Sequence, residues 1–124
     1  MQKTIILIED ELTSGMLIKS LLKGKGFEVT WLKTYDDTFE YLSKLKISET
    51  DPVVAVVLDY RLDDGKISIP LLEILLDMGY SGPIIANSSE DDHNKNLIRA
   101  GCTCTRPDRD KVRVVEYITD QVLA

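Results

Sequence analysis

The stretch Val53-Val54-Ala55-Val56-Val57-Leu58-Asp59, continuing as Tyr60-Arg61-Leu62-Asp63-Asp64-Gly65, decides the fold of this chain. Six apolar residues, four of them β-branched, run into a carboxylate and then a polar turn. That is the pattern of a strand buried on both faces which carries Asp59 to its carboxyl end. Ligands bind at that end in open α/β sheets, so Asp59 is the candidate reactive group.

Working outward, Thr4 to Ile8 is a second apolar run that stops at Glu9-Asp10-Glu11, a buried strand with acids at its tip. Residues 27 to 32 alternate apolar and polar, which fits an edge strand, and Ile84-Ile85-Ala86 and Gly101 to Thr105 are short strands. Helical spacing places a helix from Leu12, with Leu12, Met16, Ile18, Leu21 and Leu22 as its apolar positions. A second runs from Asp36 to Leu45, carrying Phe39, Tyr41, Leu42 and Leu45 and capped by Asp36 or Asp37. A third, about Ile67 to Met78, tolerates Pro70 in its first turn. A fourth, Glu90 to Ala100, has Ser89 as its cap and is thinly anchored by Leu97, Ile98 and Ala100. The last starts at Asp108, with Val112, Val115, Ile118 and Val122 inward.

Five strands alternating with five helices predict a flavodoxin-like three-layer sandwich, a parallel sheet in the order 2-1-3-4-5 with helices on both faces. With 124 residues the chain reads as one domain, 1–124. Its net charge of −6 and the absence of a basic cluster argue against a nucleic-acid surface. The start of the chain resembles neither a signal peptide nor a membrane span, so a cytoplasmic domain without membrane contact is expected. Cys102 and Cys104, an i, i+2 pair, are poorly spaced for a disulfide and read as reduced and buried.

In this strand order the first and third strand tips are neighbours, so Glu9, Asp10 and Asp59 converge. Two ionised carboxylates about 4 Å apart repel by roughly 4 kcal/mol at an effective dielectric near 20, so the site must recruit a cation or raise a pKa. Hard oxygen ligands suit Mg²⁺. Ser88, at the fourth strand tip, either donates to an anion held at Asp59 or caps the following helix. Arg106 follows the fifth strand and is the only basic side chain expected there, either neutralising an anion or standing exposed before Pro107. Asp63 and Asp64 read as turn residues, and His93 as a surface residue.

These residues resemble the receiver domain of the two-component response regulator family: Glu9-Asp10 as its acidic pair, Val56 to Leu62 around Asp59 as its phosphoacceptor strand, Ser88 as its switch hydroxyl, and Ala100-Gly101 before the fifth strand. The resemblance implies that Asp59 accepts a phosphoryl group from a phosphohistidine on a sensor histidine kinase or phosphotransfer protein. It further implies that Mg²⁺ is held by Glu9 or Asp10, Asp59 and the backbone carbonyl of Arg61. The product switches a downstream protein, in a monomer or a phosphorylation-dependent dimer, and no enzyme activity beyond the domain's own phosphotransfer and dephosphorylation is implied. Arg106-Pro107 stands where the family has Lys-Pro, the segment before it is shortened, and Thr103 and Cys104 replace the family's switch aromatic. Those departures motivate an alternative, a pseudo-receiver that binds partners without phosphorylation. A phosphohydrolase of the haloacid dehalogenase type would need a second acid where Arg61 stands, and a nucleotide or flavin carrier would need a phosphate-cradling loop that the acidic first turn lacks.

Overall fold

The computed structural model describes residues 3–46, 53–106 and 110–123. The strands are β1 (Thr4–Ile8), β2 (Glu28–Leu32), β3 (Val53–Leu58), β4 (Ile84–Ala86) and β5 (Cys104–Thr105). The helices are α1 (Leu12–Gly24), α2 (Tyr35–Lys44), α3 (Ile69–Asp77), α4 (Asp91–Ala100) and α5 (Val114–Tyr117). The sheet runs β2-β1-β3-β4-β5, parallel throughout, as expected. A 3₁₀ turn (Lys111–Arg113) leads into α5 and a wider π turn (Ile118–Val122) follows it. The proposed helix start at Asp108 and the loop before β3 lie outside the described residues.

Period-two alternation splits the core into two layers. Ile6, Ile8, Val56 and Leu58 face α2, α3 and α4, packing on Leu42, Leu71, Leu72, Leu75 and Leu97. Ile5, Leu7, Ala55 and Val57 face α1 and α5, packing on Ile18, Leu22, Val114, Val115 and Ile118. Ile8 is level with Leu58, and the Asp59 N–H donates to the Ile8 carbonyl at 2.9 Å. Glu9 and Asp59 therefore leave the sheet side by side.

Three helices differ in detail from the expectation. On α1 the buried stripe is Ser14, Gly15, Ile18 and Leu22, whereas Leu12, Met16 and Leu21 are 45–58 % exposed. Small residues face the sheet there because the Trp31 ring lies against Gly15. The cap of α2 is Thr34, whose hydroxyl oxygen accepts from the Asp37 N–H at 3.1 Å, so the acids serve the first turn and not the cap. On α4 the buried residues are Asn94 and Leu97, and Ile98 is exposed.

A methyl group on Gly15 would overlap the indole of Trp31. Gly15→Ala gains up to about 1 kcal/mol of helix propensity and loses about 1–3 kcal/mol to overpacking, so a net loss of stability is expected. Urea unfolding checks this; an unchanged or higher midpoint would refute it.

Candidate functional site

The carboxyl edge of β1 and β3 gathers Glu9, Asp10 and Asp59, each offering a carboxylate oxygen within 4.8 Å of the others. Glu9 is 1 % and Asp59 5 % exposed. Among the described residues, the cation bonded to them is Lys111: its Nζ donates to Glu9 Oε2 and to Asp59 Oδ2, both at 3.0 Å. The expectation that Arg106 is the only basic side chain there is thus corrected. Arg106 is buried, and its Nη2 donates to the Ser88 carbonyl at 2.6 Å. The lysine reaches the acids from the turn before α5, where the Asp110 carboxylate caps the backbone and Asn87 Nδ2 donates to the Lys111 carbonyl at 3.4 Å.

Backbone and side-chain bonds fix the acids. The Glu11 N–H donates to Glu9 Oε2 at 3.0 Å, and the Trp31 indole N–H to the Glu9 carbonyl at 2.8 Å. The Tyr60 N–H donates to Asp59 Oδ1 at 2.8 Å, and the hydroxyl of fully buried Ser68 to the Asp59 carbonyl at 2.6 Å. Asp63 and Asp64 lie in a turn closed at Gly65, whose φ of +78° suits glycine. Asp64 accepts from the Tyr35 N–H at 3.4 Å.

Among the described residues, three carboxylates converge on one ammonium and leave surplus negative charge, and the proton affinities follow. Burial pushes the Glu9 carboxyl above its ordinary range against the opposing pull of Lys111. Burial, then the Glu9 charge, does the same to Asp59. Asp10 is raised from 3.8 to about 6, by burial and then by its hydrogen bond to Asp59 and the Asp59 charge. Burial pulls Lys111 down, but the Asp59 and Glu9 charges together outweigh it and leave it raised.

Asp10 carries a pH prediction. With its folded value at about 6 and its ordinary value at 3.8, the folded state binds the extra proton between them, so stability falls as pH rises through that window. Asp10→Asn is therefore expected to stabilise the metal-free domain at pH 7 by about 1 kcal/mol, allowing for solvent screening, and to lose that advantage in acid. Thermal unfolding in chelator at both pH extremes checks it; a less stable variant at pH 7 would refute it.

The Ser88 hydroxyl oxygen accepts from the Glu90 N–H at 3.1 Å and lies 3.3 Å from His93 Nδ1. Ser88, not Ser89, thus serves the turn into α4, while Asn94 holds its backbone through bonds of 2.8 and 2.9 Å. His93 is also not the simple surface residue expected: its ring stacks on Tyr60, centroids 4.4 Å apart. Asp10, Asp59, Arg61, Ser88, His93 and Lys111 all border one open cleft of about 510 Å³. A larger groove of about 670 Å³ beside α2, lined by Leu32, Tyr41 and Leu45, lies away from these acids. No helix among the described residues is long and apolar enough to cross a membrane.

A doubly wound sheet with an acidic cleft at the adjacent carboxyl ends of β1 and β3 has the fold of response regulator receiver domains. Among solved structures, the chain is similar to the non-phosphorylated HemR receiver domain from Leptospira biflexa, with 21 % identity, 99 % of this chain and 95 % of that one covered, and a TM-score of 0.76. It is also similar to a CheY-like response regulator receiver domain protein from Methanospirillum hungatei, with 17 % identity, coverage of 98 % and 94 %, and a TM-score of 0.74. The Mn²⁺-bound form of response regulator Rcp1 matches at 20 % identity, coverage of 96 % and 93 %, and a TM-score of 0.67. No protein-family model and no curated protein matches the chain in sequence.

Lys111, Ser68, Trp31 and Asn87 are the residues that sequence reasoning missed. Lys111 had a signal: it is a basic residue between β5 and the last helix, within reach of an acidic cluster that needs a cation.

Proposed function

We propose that this chain is a phosphoacceptor receiver domain of a cytoplasmic two-component phosphorelay, modified on Asp59 by a sensor histidine kinase or phosphotransfer protein and switching a protein partner. The observation that carries this reading is the Lys111 ammonium bridging Glu9 and Asp59 at the ends of β1 and β3. An Asp59 oxygen attacks the phosphorus of a phosphohistidine, the P–N bond breaks, and the donor imidazole leaves with its electron pair and takes up a proton. Lys111 is positioned to hold a phosphoryl oxygen, and Ser88 to donate to another after its hydroxyl turns.

Three hard carboxylates within 4.8 Å of one another fit a small divalent cation. Glu9, Asp10, Asp59 and the Arg61 backbone carbonyl are its proposed ligands, and Mg²⁺ is the proposed ion; when bound it neutralises charge on the transferring group. Arg106 is assigned to the Ser88 carbonyl and not to the phosphoryl group.

The test is intact mass after incubation with a small phosphodonor and Mg²⁺. The chain is expected to gain one phosphoryl group and to lose the gain with chelator. No gain would overturn the proposal in favour of a pseudo-receiver, the reading that the two-residue β5 favours.

A further inference from the structure

We propose that His93 is a latch on the Ser88 hydroxyl: in the unmodified domain its Nδ1 holds that hydroxyl, which must leave it to reach an anion on Asp59. The inference rests on the receiver reading and concerns how the same site is regulated.

The Ser88 hydroxyl has one proton to give. Its oxygen already accepts from the Glu90 N–H at 3.1 Å, and among the described residues its side-chain partner is His93 Nδ1 at 3.3 Å. The latch takes His93 in its Nε2–H tautomer, in which Nδ1 offers a lone pair; a hydroxyl proton spent on that lone pair is not available to a phosphoryl oxygen, so the two acceptors compete for it. The His93 ring has a second hold. It stacks on Tyr60 at 4.4 Å between centroids and 21° between planes, and the Tyr60 N–H donates to Asp59 Oδ1 at 2.8 Å.

One residue on the first turn of α4 therefore touches both the hydroxyl that must move and the neighbour of the group to be modified. The helix it belongs to buries only Asn94 and Leu97 among its described residues, and its N-terminal end is held by the two Asn94–Ser88 bonds and by the His93–Tyr60 stack. Drawing the Ser88 hydroxyl toward Asp59 breaks the latch and removes one of the holds on that end. Tyr60 and His93 thus form a chain of contacts between Asp59 and the first turn of α4.

Affinity for beryllofluoride, a phosphoryl mimic, tests this by calorimetry on the full chain with Mg²⁺. His93→Phe keeps a ring for Tyr60 and removes the nitrogen; it is expected to bind about three- to tenfold more tightly than wild type, the worth of one released neutral hydrogen bond. Ser88→Ala is expected to bind more weakly, and the double variant to match Ser88→Ala, since a latch with nothing to hold has no effect. His93→Ala, expected to shift in the same direction as His93→Phe, serves if the phenylalanine is not accommodated. Unchanged or weaker binding in both His93 variants, or an equal gain with Ser88 absent, would overturn the latch and leave the receiver reading intact. Absence of binding by wild type, or binding that survives Asp59→Asn, would overturn both.

Discussion

Asp59→Asn is expected to take up no phosphoryl group from any donor and, without metal, to unfold at a higher temperature than wild type. The first effect follows from losing the nucleophile, since an amide oxygen does not displace the donor nitrogen. The second is a matter of competing magnitudes. At an effective dielectric near 20, the Asp59 charge is repelled by Glu9 and by Asp10 by about 3–4 kcal/mol each across at most 4.8 Å, and attracted to Lys111 by about 5–6 kcal/mol at 3.0 Å. Two repulsions and the desolvation of a buried charge outweigh one attraction, in keeping with the raised proton affinity of Asp59. A net stabilisation of about 1–2 kcal/mol at neutral pH is expected. It should shrink in acid, because the wild-type deficit builds only as pH rises from the ordinary value of 3.8 through the raised folded value. Added Mg²⁺ should stabilise wild type far more than the variant. A variant that unfolds earlier than wild type in chelator would show that the acidic cluster is not under electrostatic stress.

Lys111→Met is expected to act in the opposite direction. The lysine side chain is 10 % exposed and serves two buried carboxylates at once, so its loss leaves both without their cation. Removing one member of a buried charge network costs about 3–5 kcal/mol, much of it the penalty for the groups left behind. In chelator the variant should therefore unfold at markedly lower urea, and Mg²⁺ should restore much of the loss by taking over the neutralisation. Phosphoryl uptake should fall by about two to three orders of magnitude even with Mg²⁺, as when a single charged donor is removed from a transferring group. Lys111→Arg should not rescue uptake fully, since a planar fork does not reproduce a point ammonium bridging two acids. A Lys111→Met protein as stable and as readily modified as wild type would remove the lysine from the site.

What the sequence reveals of this molecule divides along physical lines. The β3 run and the shorter β1 run are legible because strands buried on both faces need continuous apolar residues, and strand order then forces Glu9, Asp10 and Asp59 together. The facing of α1 is not legible in the same way. Hydrophobicity points to Leu12, Met16 and Leu21, but the sheet side is chosen by space: Gly15 faces inward because the Trp31 ring occupies the room a side chain would need. Lys111 is hidden for a different reason. It arrives from a connection without periodicity, and whether Arg106 or Lys111 reaches the acids depends on the path of that connection. The His93–Tyr60 stack joins two elements whose patterns carry no mark of each other.

The bond from Trp31 to the Glu9 carbonyl has a practical consequence. It is the chain's one tryptophan, and its indole nitrogen is tied to the backbone of an acid proposed to hold the metal. Emission from that single ring carries no background from other indoles, so the domain contains its own optical gauge of the acidic turn. Filling the cleft should register as a change in intensity or wavelength without any label being attached.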